Sequence, residues 1–180
     1  MTVGASSSQP TISTRPAASA DATEMAELLN EIIAIGGTTA YETPFTPEAL
    51  DDLYISSPDV LSCFVAIDDD RVVGFQGLFR PIAEDPMPDG WAFIATFAQT
   101  SSAGKGVGRR LFAETLKAAR GLGVRVIDAT IRADNAGGLA FYERMGFCDY
   151  GRIEGIALKD GSLIDKVRKR YDLGRSPLTR

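Results

Sequence analysis

An apolar run from Trp91 to Ala98, a turn holding Gly104, Gly106 and Gly108, and an amphipathic stretch from Val107 follow one another in this chain. The first has the length and apolar character of a strand. In the last, Val107, Leu111, Phe112, Leu116, Ala119 and Leu122 recur at helical spacing on one face. Gly121 and Gly123 stop that helix, and Val124 to Ile131 reads as a second strand. Strand, turn, helix and strand in this order make a βαβ unit, whose two strands run parallel through a right-handed crossover. A glycine-rich turn at a helix start leaves several backbone N–H groups without partners and lets a ligand approach them closely. Those donors, the positive end of the helix dipole, and Lys105, Arg109 and Arg110 suit a phosphate or diphosphate.

What the chain lacks narrows its chemistry. It has no histidine among 180 residues. A Ser–His–Asp or Cys–His nucleophile is therefore excluded, as are His-containing zinc sites, and two cysteines cannot build a four-cysteine site. No metal is expected. Proton transfer falls to carboxylates, tyrosines, lysines, water or the substrate. The net charge of −5 argues against general binding to nucleic acid or acidic membranes. No apolar run approaches the roughly 20 residues that span a bilayer. Cys63 and Cys148 lie in apolar strand contexts, which suits buried, reduced thiols and a cytoplasmic location. Residues 1–10 read as a disordered leader, 11–175 as one domain with a first strand near Thr11 to Arg15, and 176–180 as a frayed tail.

Asp21 is placed to cap a helix from Ala22 to Ile35, with Met25, Leu28, Leu29, Ile32 and Ile33 as its apolar stripe. Gly36-Gly37 ends it. A loop with Tyr41, Glu42 and Phe45 follows, then Thr46-Pro47-Glu48 starts a short helix ending near Tyr54. The loop reads first as a connector whose aromatics plug the core, and otherwise as a wall over a pocket. Leu61 to Ile67 and Val72 to Arg80 form a hairpin about Asp68-Asp69-Asp70, a solvated turn rather than a metal site. Gln76, inside the second of these strands, faces either a pocket or the outside. Asn135 opens a helix from Ala136 to Met145, and a final hairpin turns at Asp160-Gly161. In its second strand Lys166, Arg168 and Arg170 share one face, and this reads as a charged sheet edge that discourages aggregation.

The glycine turn followed by Asn135-Ala136-Gly137-Gly138-Leu139-Ala140-Phe141-Tyr142-Glu143-Arg144-Met145-Gly146-Phe147 resembles the acyl-CoA-binding half of the GNAT N-acetyltransferase superfamily. The resemblance covers Phe93 to about Gly151. It implies an α+β fold, a mixed, mainly antiparallel sheet with a central parallel pair splayed apart and helices on both sides. It also implies acetyl-CoA as acyl donor and a primary amine as acceptor. By position, the pantetheine arm would pair with the backbone of Phe97 and Ala98. The diphosphate would lie over Ala103, Gly104, Lys105, Gly106, Val107, Gly108, Arg109 and Arg110. Asn135 would hydrogen-bond the pantetheine, and Tyr142 would approach the thioester sulfur. Ala103 stands where the family usually has Arg or Gln, and Gly138 where it often has Ala. Asn135 serves equally as a helix cap and Tyr142 as a core residue.

The strand Trp91 to Ala98 carries no Asp or Glu, where many relatives keep a base. Glu42 therefore ranks first among loop carboxylates, ahead of Glu84, Asp85 and Asp89, with Tyr41, Phe45 and Gln76 as further acceptor contacts. The loop around Glu42 is similar to that of the small-amine, phosphinothricin-type branch, which leans the expectation toward a small acceptor. Many relatives form homodimers, so a homodimer is expected. The alternatives are an acyl-CoA sensor without catalysis, acetylation of a protein amine, and a nucleotide-binding βαβ protein.

Overall fold

The computed structural model describes residues 12–174, so the expected leader at 1–10 and tail at 176–180 lie outside the described residues. Seven strands are described: β1 Ser13–Pro16, β2 Val60–Asp68, β3 Arg71–Phe79, β4 Trp91–Ala98, β5 Val126–Arg132, β6 Cys148–Ala157 and β7 Leu163–Asp172. They form one sheet in the order β1-β2-β3-β4-β5-β7-β6. Only β4 and β5 pair in parallel; every other neighbouring pair is antiparallel. The helices are α1 Ala22–Ile35, α2 Pro47–Tyr54, α3 Val107–Gly121 and α4 Ala136–Arg144. None is long and apolar enough to cross a membrane.

The alternation of β4 divides the core. Phe93, Ala95 and Phe97 point to one face, where Met25, Leu28 and Leu29 of α1 and Leu50 and Tyr54 of α2 are buried. Ala92 and Ile94 point to the other, against Phe112 and Ala119 of α3 and Tyr142 of α4. Burying each of Met25, Leu28 and Leu29 contributes roughly 1.5–3 kcal/mol before chain entropy is counted. The helix starts follow local chemistry. Thr46 Oγ1 accepts from Ala49 N at 3.2 Å ahead of Pro47, and Asn135 Oδ1 accepts from Gly138 N at 2.8 Å.

The parallel ladder is short. Trp91 pairs with Val126, Ala92 with Ile127 and Phe93 with Asp128, and there the pairing stops. β4 stays bonded to β3 as far as Ala98, and β5 to β7 as far as Arg132. The two central strands thus part company beyond Phe93, and their facing backbone edges open a gap. Gly74 seats α3 over this gap, since a Cβ there would lie 2.6 Å from Val107 Cγ1 and 3.0 Å from the Phe97 carbonyl.

Four expectations are corrected. β7 is not an edge: it lies between β5 and β6, so Arg168 is a part-buried residue held by Asp128 and Asp85. Asp21 makes no side-chain cap to α1, because its carboxylate binds Arg15 in two 2.7 Å contacts and the Ala18 amide. Cys148 is exposed rather than buried, whereas Cys63 is buried and its thiol is pushed up to about 12 by desolvation. Leu122, just past the end of α3, is exposed instead of joining the apolar face.

Candidate functional site

The turn before α3 begins with a single 3-10 turn, Thr100–Ser102. Ser102 N donates to Gln99 O, Ala103 N to Thr100 O and Lys105 N to Ser102 O, at 3.0 to 3.1 Å. Gly104 and Gly106 then take φ of 80° and 78°, the left-handed region that glycine enters without strain. The first helical bond runs from Arg110 N to Gly106 O. The amides of Gly104, Gly106, Val107, Gly108 and Arg109 find no acceptor among the described residues. They form a nest of donors at the positive end of a 15-residue helix. Lys105 is set apart from it: its amide is used, and its ammonium pairs with Asp68 at 3.3 Å. Arg109 borders the cleft, whereas Arg110 is exposed outside its lining.

That nest opens into a cleft of about 1110 Å³ that passes between the splayed strands. Phe97, Ala98, Ala103, Asn135 and Tyr142 all border it, so the structure brings together most of the donor-side residues expected from the sequence. Tyr142 is 6% exposed, and its hydroxyl lies 2.8 Å from Thr96 Oγ1. Burial pushes its phenol pKa up, and the hydrogen bond it shares with Thr96 works in the opposite direction. Asn135 does act as the α4 cap, and its Nδ2 also donates to Thr38 O at 2.9 Å. Gly138 sits close under that cap, where a Cβ would lie 2.6 Å from Asn135 Nδ2.

The far end of the cleft combines an apolar wall with buried charge. Ile32, Ile35, Ile82 and Phe93 line it, with Tyr41 and Tyr54, whose hydroxyls are 3.0 Å apart. Asp128 opens onto the same space and is only 1% exposed. One of its oxygens accepts from Tyr150 Oη at 2.5 Å and from Arg168 Nε at 3.3 Å; the other accepts from Thr130 Oγ1 at 3.0 Å. Arg168 also forks onto Asp85, at 3.1 and 3.2 Å, and Asp85 lines the cleft too. Two carboxylates share one guanidinium here, and Lys166 lines the same cleft.

The other expected acceptor residues fall elsewhere. Glu42 does not line the cleft: its carboxylate accepts from Lys159 N at 2.9 Å and ties the loop to the β6–β7 hairpin. Phe45 packs edge-on against Tyr41 and locks its backbone to Asn30. Gln76 is fully buried and reaches the site only through Thr96, to which it donates at 2.8 Å. Asp128, Thr96 and Arg168 were not picked out as site residues. For Asp128 the signal was present, as a lone carboxylate inside the apolar run Val124 to Ile131.

A sequence model of the acetyltransferase (GNAT) family matches residues 26–147. Among curated proteins no sequence matches the chain at a significant level. The fold is similar to a solved structure described as a "putative phosphinothricin N-acetyltransferase", 27% identical, covering 91% of this chain and 99% of that one, with a TM-score of 0.76. It is also similar to an N-acetyltransferase from Staphylococcus aureus Mu50, 20% identical, with 90% and 98% covered and a TM-score of 0.78. A third is an acetyltransferase of Salmonella typhimurium, so described as "putative", solved with its cofactor acetyl-CoA. It is 18% identical, with 94% and 98% covered and a TM-score of 0.75.

Proposed function

The chain belongs to the acetyltransferase (GNAT) family, and on that premise we propose that it moves an acetyl group from acetyl-CoA to the primary amine of a small molecule by direct attack. The observation that carries this reading is the nest of five unpartnered amides opening into the splay between β4 and β5. The nest suits a diphosphate, the free strand edges suit the amides of a pantetheine arm, and Tyr142 borders the same cleft. The 27% identity to the phosphinothricin-type structure, and the apolar lining from Ile32, Ile35, Ile82 and Phe93, favour a small acceptor.

When bound, acetyl-CoA supplies the thioester; the chain's own residues do the rest. An alkyl ammonium with pKa ~10.4 costs ~4.6 kcal/mol to deprotonate at pH 7. The acceptor loses its first proton to solvent before attack, and Asp128 takes the second from nitrogen after the C–N bond has formed, with Asp85 beside it offsetting the positive charge that builds there. Glu42, turned to Lys159, is not placed to do this in the present loop conformation. Tyr142 gives a proton to the sulfur as the C–S bond breaks. Its burial makes it a weak acid, so this transfer is late, when charge has built up on sulfur. Tyr142→Phe should lower kcat by roughly 10²- to 10⁴-fold with little change in KM for acetyl-CoA.

Two copies pairing through β6, the outer edge strand with mostly exposed residues, belong to the same proposal. Sedimentation equilibrium tests that part, with a monomer at micromolar concentration counting against it. The function is tested by free-thiol release from acetyl-CoA over a panel of amino acids, polyamines and aminoglycosides, beside peptides with free N-termini. Release with a small amine supports the reading. Release with peptides alone would move the acceptor to proteins, and binding of acetyl-CoA without release under any condition would contradict transfer.

A further inference from the structure

The strongest polar feature outside the cleft lining is a fully buried amide. Gln76 on β3 is 0% exposed and stands directly across from Thr96 on β4. Its Nε2 donates to Thr96 Oγ1 at 2.8 Å, and Thr96 Oγ1 is 2.8 Å from Tyr142 Oη. We propose that Gln76 is a positioning residue that sets the direction of this chain and thereby aims the Tyr142 proton into the cleft. The inference rests on the acetyl-transfer reading, in which Tyr142 protonates the departing sulfur.

Counting protons gives the direction. A hydroxyl has one hydrogen, and Gln76 Nε2 can only donate. Thr96 Oγ1 therefore accepts from Gln76, and its own hydrogen needs an acceptor. Tyr142 Oη is the one side-chain neighbour within reach of it among the described residues. Once Thr96 donates to the phenol oxygen, the phenol hydrogen is left free to point into the cleft that Tyr142 borders. The reversed amide would undo this. Gln76 Oε1 would take the Thr96 hydrogen, Thr96 would take the Tyr142 hydrogen, and the acid would face backwards. The reversed amide would leave both Nε2 hydrogens without side-chain acceptors among the described residues; as it stands one of them is in use, and Oε1 and the second hydrogen are the groups left over.

That orphaned oxygen is the second observation. Gln76 Oε1 is buried without a partner among the described residues. An unsatisfied buried group of this kind carries a desolvation penalty, and a leucine of similar size would avoid it. The amide gains nothing for packing from its oxygen; its nitrogen is the part in use.

The test uses Gln76→Leu, Thr96→Val and Thr96→Ser in the full-length protein, with Tyr142→Phe for assignment. With an acceptor found in the thiol-release screen, Gln76→Leu and Thr96→Val should lower kcat roughly ten- to a hundredfold, less than Tyr142→Phe. KM for acetyl-CoA should stay within about twofold, and Thr96→Ser should restore most of what Thr96→Val loses. Separately, with no ligand present, 13C NMR of tyrosine Cζ should show the Tyr142 resonance displaced in Gln76→Leu as it is in Thr96→Val. An unmoved resonance in folded Gln76→Leu, or an unchanged kcat beside an impaired Tyr142→Phe, overturns the proposal. If the wild-type protein releases no thiol, or Tyr142→Phe matches it, the transfer reading fails, and the ligand-free resonance still decides whether Gln76 orders the chain.

Discussion

Asp128 is a single carboxylate held by three donors, Tyr150, Arg168 and Thr130, at the last paired position of β5 with β4. Removing its charge leaves Arg168 paired with Asp85 alone and, on the proposed mechanism, leaves the nitrogen cation formed on attack without its proton acceptor. Asp128→Asn should lower kcat/KM for the amine by at least tenfold while leaving the Kd for acetyl-CoA within about twofold, by steady-state kinetics and calorimetry. Asp21 offers a contrast without catalysis. The Arg15 guanidinium, with help from the Ala18 amide, holds its carboxyl below the usual range. A depressed folded pKa gives stability that is present above the unfolded value and lost as pH falls through the folded one. Asp21→Asn should therefore be less stable than wild type at pH 7, with the difference shrinking as pH falls below the unfolded carboxyl value of about 4, read from urea unfolding across that range. Sequence reading put Tyr142 and the glycines in one cleft because their spacing is local, and they do border it together. It did not put Asp128 there, because nothing within β5 says that Arg168, 40 residues on, will pair with it. It favoured Glu42 because a loop residue's neighbours tell nothing of a partner such as Lys159, 117 residues away.

The elements were more legible than the site. α1 and β4 lie where apolar spacing put them, and α2 begins at Pro47 because Thr46 and Pro47 together form a start signal. The misplaced element is β7, since strand order depends on pairing across the whole sheet. A strand with three cations on one face looks like an edge until β5 supplies Asp128 beside it. The loop between α1 and α2 answers to both of its readings. Phe45 and Tyr41 pack on the core, while Thr38 and Thr39 carbonyls accept from Asn135 and Arg132 at the rim of the cleft. At this scale the sharpest test is Gly74, where any side chain meets Val107 and the Phe97 carbonyl. Gly74→Ala should cost about 1–3 kcal/mol in urea unfolding and also weaken acetyl-CoA binding, because relieving the contact tilts the first turn of α3. Gly37→Ala, where a Cβ would meet nothing but φ is 76°, should lower stability without altering that affinity.

At the scale of the whole molecule, the fold divides labour between two faces of one sheet. On the proposed reading, α3 and α4 serve the donor side through the amide nest and Tyr142, and residues of α1, α2 and the β6–β7 hairpin that line the cleft serve the acceptor side. The gap between β4 and β5 joins them. Because the chain has no histidine, no side chain with an unperturbed pKa between 5 and 8 is available to shape the pH profile. With an alkyl amine acceptor, kcat/KM should rise between pH 6 and 9 with a logarithmic slope approaching one, following the amine's own ionisation. A bell with a descending limb below pH 8 would contradict that. The account as a whole depends on the amides ahead of α3 gripping a diphosphate, and 1H–15N NMR titration of the protein with acetyl-CoA reads them directly. The account predicts large, saturable shifts at the amides of Gly104, Gly106, Val107, Gly108 and Arg109, with Lys105, already bonded to Ser102, moving less, and no comparable response to NAD or ATP. Shifts that spare these five amides while acetyl-CoA binds, or equal shifts with NAD, would contradict it.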